Sequence, residues 1–143
     1  MDILSIFHME DCKPMSTPMI INWKKLHTSD FEFVDRTLYR HLIGSLMYLL
    51  NTRTNICFAV NTMSQFMCEP RGVHWVAAKH ILQYLQGTMD YGLDYRQGDG
   101  VRLAGYTNSD WAGCASDRKS TSGCCFGLGT TVGLIVVSWF SRK

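Results

Sequence analysis

The sequence predicts an α+β chain, helical in its first part and β-structured in its second. Between Arg36 and Gln86, apolar residues recur at intervals of three and four, which is the mark of helices with one buried face. After Gly87 the texture changes to short apolar runs separated by glycines, as in strands joined by turns. No stretch long enough to cross a membrane as a helix interrupts either part: the longest apolar runs, Leu42 to Leu50 and Gly133 to Phe140, fall far short of the roughly 18–20 residues required.

The elements follow in order. A short apolar piece at Ile3 to Phe7 runs into Lys13-Pro14 and Thr17-Pro18, where each proline pushes its predecessor out of the helical region; this predicts a helix stub and then an extended loop. Residues 20–35 keep no period, so 1–35 reads as a connector. In Arg36 to Asn51 the residues Leu38, Leu42, Ile43, Leu46, Met47 and Leu50 predict the core face of a first long helix. Ile56 to Cys68 predicts a second helix ended by Pro70, and Gly72 to Gln86 a third, with Gly87 as its C-terminal stop. The helical region thus covers 36–88. Over 89–143, Tyr91 to Tyr95, Val101 to Thr107, Ser122 to Leu128 and Leu134 to Phe140 predict strands, turning at Gly98-Asp99-Gly100 and around Asp117.

Composition narrows the function classes. With 46% hydrophobic and 18% charged residues, the chain is too apolar to be disordered, and its 143 residues suffice for a core. The net charge of +2 comes from scattered side chains with no like-charge run, so charge alone does not announce a nucleic-acid binder. Cys12, Cys57, Cys68, Cys114, Cys124 and Cys125 form no C-x-x-C pair and no zinc-finger spacing. The start, with Asp2 and a brief apolar run, does not read as a secretory signal; the expectation is free thiols in the cytoplasm or nucleus, with secretion into a host cell as the alternative.

Four blocks resemble the Pol proteins of copia-type retrotransposons. They are Phe7-His8-Met9-Glu10-Asp11-Cys12-Lys13-Pro14 with Thr17-Pro18; Tyr39-Arg40-His41-Leu42-Ile43-Gly44-Ser45-Leu46 continued by Thr52-Arg53-Thr54-Asn55-Ile56; His74-Trp75 through Tyr84-Leu85-Gln86-Gly87-Thr88; and Tyr106-Thr107-Asn108-Ser109-Asp110-Trp111-Ala112-Gly113 followed by Asp117 to Gly123 and Val137 to Lys143. The resemblance implies a connector from the end of the reverse transcriptase, a helical connection subdomain, and a partial, truncated ribonuclease H-like antiparallel sheet.

It also implies what is missing. The polymerase's "Y-V-D-D" strand belongs upstream of Met1 in such proteins, and this chain has no Asp-Asp pair. The "T-D-S-D" opening of the nuclease carries Asn108 in place of the first Asp, leaving Asp110 as the nearby carboxylate, and the later Glu and Asp are expected beyond Lys143. Two-metal hydrolysis needs several carboxylates to hold two Mg²⁺ ions about 3.5–4 Å apart. The neutral amide of Asn108 is a poor ligand for so hard a cation. The expectation is a non-enzymatic fragment with no catalytic residue, no metal and no cofactor.

The remaining candidates have plainer readings beside them. His74 and His80, six residues apart, cannot form an i, i+4 ligand pair, and packing or capping is expected of them. Ser109, Ser120, Thr121 and Ser122 lack a Gly-x-Ser-x-Gly elbow and read as turn hydroxyls. Arg71, Trp75 and Lys79 share a helical stripe that suits weak nucleic-acid contact or an ordinary solvated face. Similar copia fragments also occur among oomycete effector candidates of the Arg-x-Leu-Arg type. Arg36-Thr37-Leu38-Tyr39-Arg40 approaches that motif through Arg36, Leu38 and Arg40, although Leu38 also fits the core face. The partners implied are a second copy through an uncovered sheet face bearing Val136, Trp139 and Phe140, a host protein, or weakly bound nucleic acid.

Overall fold

The computed structural model describes residues 3–23, 34–92, 102–109, 120–130 and 133–142. The chain divides into two compact units, Met1–Asp90 and Tyr91–Lys143. The first holds helices α1 (Ile3–Ile6), α2 (Arg36–Leu49), α3 (Cys57–Ser64) and α4 (Gly72–Gln86), with a 3₁₀ turn at Thr54–Ile56 leading into α3. The second is an antiparallel sheet of β1 (Arg102–Ser109), β2 (Ser122–Thr130) and β3 (Gly133–Arg142), in that order. The expected α+β organisation is observed.

Helix α2 starts where Asp35 accepts a hydrogen bond from the Thr37 amide at 2.8 Å, satisfying one of the orphan donors of the first turn. Its buried face is Tyr39, Leu42, Ile43 and Leu46, all fully inaccessible. Leu38 and Met47, expected on this face, are 42% and 41% exposed. At about 100° per residue each lies roughly 40° outside the arc from Leu42 to Ile43, just past the reach of the neighbouring helices. Tyr39 takes the place expected of Leu38, and its phenol donates to the Met63 carbonyl at 2.8 Å, tying α2 to the end of α3. Burial pushes that phenol well above its ordinary pKa.

Opposite this face stands Gly44, mid-helix and exposed, with nothing within 4 Å of where a Cβ would be. A helical glycine costs about 1 kcal/mol relative to alanine. No packing within the described residues offsets that cost.

Ile56, Ala59, Val60 and Met63 from the second helical segment and Ala77, Ala78, Ile81, Leu82 and Leu85 from α4 complete the core. The segment before α2 contributes as well. Leu4 and Trp23 are buried in the same core, with Phe7, Met9, Met19 and Ile20 packed against it. Its extended portion runs along α4: the Met15 amide donates to the Gln83 carbonyl at 3.2 Å.

Gly87 does end α4, but not through a left-handed cap, since its φ is −75°. A Cβ there would stand 3.0 Å from Pro14 Cβ and 3.3 Å from the Met15 carbonyl. Close approach of the strap, not a positive φ, requires the glycine.

The end of α4 is also clasped from outside. Arg53 Nη2 donates to the Thr88 carbonyl and, at 2.8 Å, to the Thr88 hydroxyl, which itself donates to the Tyr84 carbonyl at 2.8 Å. Asn55 Nδ2 donates to the Tyr84 hydroxyl at 2.6 Å. An Arg53→Met variant keeps much of the stem and loses these bonds, so unfolding in urea should show the helical unit weakened by about 1–2 kcal/mol. An unchanged midpoint would mean that water replaces the guanidinium without cost.

In the sheet, Tyr106, Cys125 and Trp139 stand in register, as do Thr107, Cys124 and Phe140. Alternation puts these two sets on opposite faces. Val136, Trp139 and Phe140, expected on one exposed face, therefore separate: Trp139 and Val136 are half-buried on one side and Phe140 is 52% exposed on the other. A register shift between Phe126 and Gly127, with Val137 the extra residue opposite them, brings Val136 to the Trp139 side. The Phe126 ring lies over Gly105, where a Cβ would meet it at 2.9 Å. The expected strand at Tyr91 to Tyr95 is not seen at Tyr91 and Gly92, and the rest of it, like the turns at residues 98–100 and around Asp117, lies outside the described residues. No helix among the described residues is long and apolar enough to cross a membrane.

Candidate functional site

Asn108, the residue on which the nuclease reading turns, lies near the end of β1, exposed and opposite Gly123. Alternation places it on the face that carries Arg102, Tyr106, Cys125 and Trp139. Asp110 lies outside the described residues. None of the three strands contains an Asp or a Glu. Among the described residues, the sheet around Asn108 therefore presents an amide, hydroxyls, a thiol and aromatic rings, a donor set without the anionic oxygens that hold Mg²⁺. No group of three or more His, Cys, Asp or Glu side chains positioned for a metal occurs among the described residues.

The α4 stripe is assembled as its spacing suggests. Arg71 is exposed and pairs with Glu69 at 3.4 Å, in a geometry open to solvent on both sides. Trp75 is half-buried against the helical core, and Lys79 Nζ lies 6.0 Å from the centre of its ring. Lys79 thus stands over an indole that belongs partly to the core, while the Arg71 side chain is engaged with Glu69.

Arg36, Leu38 and Arg40 all fall on the first two turns of α2 and are exposed. Tyr39 between them is fully buried, and Arg40 Nε donates to the Met67 carbonyl at 3.1 Å. The five residues form part of a helix anchored in the core, not an extended segment.

The two α4 histidines are built into the fold. His74 stacks on Phe66 with ring centres 3.8 Å apart, Trp23 stands edge-on to both rings, and His74 Nδ1 accepts the Arg71 amide at 3.0 Å, capping α4. Burial first, and the nearby Arg71 charge second, hold its pKa below the ordinary value. His80 is also buried, and its Nε2 has no hydrogen-bond partner among the described residues. Burial lowers its pKa, while a hydrogen bond with the Thr17 main chain pulls the other way. Sequence reasoning anticipated packing or capping for both. It missed the Arg53–Thr88 and Asn55–Tyr84 links, for which only the polar run Asn51 to Asn55 before a helix gave any signal.

No family model and no solved structure matches the chain. Individual proteins do. Over all 143 residues it is 39% identical to the retrovirus-related Pol polyprotein from transposon RE2 of Arabidopsis thaliana and 40% identical to that from transposon RE1 of the same plant. It spans 10% of the length of each. It is also 42% identical over 106 residues to a protein of Plasmopara viticola named secreted RxLR effector protein 161, covering 73% of this chain and 72% of that one. Full-length similarity to the transposon polyproteins, over the blocks that hold α2, α4 and β1, shows that this chain belongs to the copia-type retrotransposon Pol family.

Proposed function

We propose that this member of the Pol family is a catalytically inactive fragment derived from the region where the helical connection meets ribonuclease H. The single observation that carries this reading is Asn108, which stands on the first strand where the family pattern has an aspartate. An amide oxygen is a weak ligand for Mg²⁺, and a two-metal clamp loses its first anchor with it. The absence of carboxylates from β1, β2 and β3 adds support, because no neighbour in the strands can replace the missing charge.

The test is cleavage of the RNA strand of an RNA–DNA hybrid in Mg²⁺ or Mn²⁺, with the matching region of an active relative as positive control. The native chain should leave the hybrid intact, and so should Asn108→Asp, since one restored ligand cannot hold two metals. Cleavage by the native chain would overturn the proposal. Cleavage by Asn108→Asp alone would mean that the charge at this position is the whole defect.

A second reading, an adopted interaction protein acting in a plant host, draws on the similarity to the Plasmopara viticola protein over most of both chains. Expression of the tagged chain separates the two. Recovery of the tag outside the producing cell would favour this second reading, and retention would leave the first. The helical setting of Arg36, Leu38 and Arg40, with Tyr39 buried among them, weighs against their use as a linear motif.

A further inference from the structure

The first turn of α4 is closed by a contact that depends on a single lone pair. The Arg71 amide points at His74 Nδ1, 3.0 Å away, so the neutral ring carries its proton on Nε2. The same ring lies flat on Phe66, with centres 3.8 Å apart and planes 13° from parallel. Trp23 meets both rings at steep angles, 68° to His74 and 77° to Phe66, with centres 5.8 Å and 5.5 Å away. One buried imidazole thus joins three stretches of chain: the α4 N-terminus, the segment that follows α3, and the turn at residues 20–23. The Trp23 amide closes that turn on the Ile20 carbonyl at 3.3 Å. Asn22 sits within it at a φ of 59°, in the left-handed region that few side chains other than asparagine tolerate. Ile21 is turned to solvent, so Ile20 and Trp23 are the members of the turn that pack on the core.

We propose that this cluster is a pH-sensitive latch: a proton on His74 Nδ1 frees the turn at residues 20–23 and the first turn of α4 while the rest of the helical unit stays folded. A protonated ring would set N–H against N–H across 3.0 Å, with no lone pair left for the Arg71 amide. The ring must swing away, and the swing breaks the stack on Phe66 and the contact with Trp23 in the same movement. Stacking alone would tolerate the charge, because a cation over an aromatic face is attracted. The cap is what forbids it. The surroundings oppose the cation as well. It would stand at the positive end of the α4 dipole, in a first turn without an acidic residue. Among the described residues, the charged side chains nearest in the chain are Arg71, which repels it, and Glu69, which is exposed and paired with Arg71 at 3.4 Å. Arg40 of α2, bonded to the Met67 carbonyl beside Phe66, is a further cation. Helix α3 carries no charged residue, Cys68 is the one thiol after it, and residues 20–23 hold no titratable side chain. Burial first and Arg71 second keep His74 neutral to below its ordinary pKa of 6.5, so the latch is closed at neutral pH and opens in mild acid.

The full chain has four tryptophans, so fluorotryptophan labelling gives four fluorine NMR resonances, with Trp23 assigned by Trp23→Phe. In a titration from pH 8 to 5, the Trp23 resonance should lack a solvent isotope shift at first and gain one below about pH 6.5, while helical circular dichroism stays nearly unchanged. His74→Phe keeps a ring for Phe66 and Trp23 to pack on and cannot titrate; its Trp23 should stay buried throughout, although His80 is intact. Arg71→Gln removes the repelling charge and keeps the backbone amide, so it should move the midpoint to higher pH. Should His74→Phe fail to fold, the direction of the Arg71→Gln shift decides. A native Trp23 still buried at pH 5, exposure that persists in His74→Phe, an Arg71→Gln midpoint unmoved or lower, or helicity lost in step with Trp23 exposure would each overturn the latch.

Discussion

Replacing Leu46 with alanine should destabilise the helical unit by about 2–5 kcal/mol, a large share of the roughly 5–15 kcal/mol that holds a typical domain together. Leu46 is fully inaccessible and packed within the cluster formed by α2, α3 and α4. Shortening it removes burial and leaves a cavity that close-packed neighbours fill only in part. Leu38→Ala supplies the internal control, being the same substitution in the same helix at a position 42% exposed. It should cost less than about 1 kcal/mol, since much of that side chain stays in water. Urea unfolding followed by circular dichroism measures both. Equal losses at the two positions would contradict the assignment of the buried arc.

Acid should weaken the same unit well before its carboxylates titrate. His74 and His80 are both held below their ordinary pKa of 6.5, chiefly by burial. A base whose pKa is lower in the folded chain binds fewer protons there than when unfolded, so stability rises with pH across the gap. The contribution is complete above about pH 6.5, falls as the pH drops through that value towards the folded-state pKa of each histidine, and levels off below. The structure names what a proton disturbs. At His74 it would take the Nδ1 lone pair that accepts the Arg71 amide, and at His80 it would place a donor on the buried Nε2, which has no partner among the described residues. Urea midpoints should be flat from pH 8 to 7 and decline between pH 6.5 and 5. A His74→Phe, His80→Leu double variant that still folds should lose most of that decline, and a native midpoint constant down to pH 5 would contradict the argument.

Periodicity made α2 and α4 legible, because apolar spacing reports a buried face directly, whereas α3, expected from Ile56 to Cys68 with Pro70 as its end, is shorter and stops at Ser64; alternation with glycine punctuation made β1, β2 and β3 legible. It did not report which neighbour fills that face. Tyr39 went unrecognised as a core residue because a phenol reads as amphipathic until a carbonyl such as that of Met63 is placed beside it. Gly87 is legible as a stop, but the close approach that requires a glycine there is not, since Pro14 lies more than seventy positions earlier. The split of Trp139 from Phe140 follows from strand alternation, whereas the return of Val136 to the Trp139 face needs a bulge that no local pattern announces. At the candidate site, Asn108 was legible only against the family pattern. That the strands paired beside it carry no carboxylate emerged only from the pairing of β2 and β3.

The strap of residues 13–17 along α4 sets an order of events during synthesis. The Met15 amide finds its acceptor on Gln83, so the first segment of this unit to be synthesised is completed by one of its last, whatever precedes the unit. At about 5–20 residues per second, the N-terminal piece waits roughly 3–14 s for that partner, with Leu4, Phe7 and Met9 lacking their final cover in the interval. The helices can coil locally as they emerge, but closure of the unit is a late, long-range step. That interval, more than any property of the finished fold, is when a nascent chain of this kind is exposed to aggregation and to chaperones.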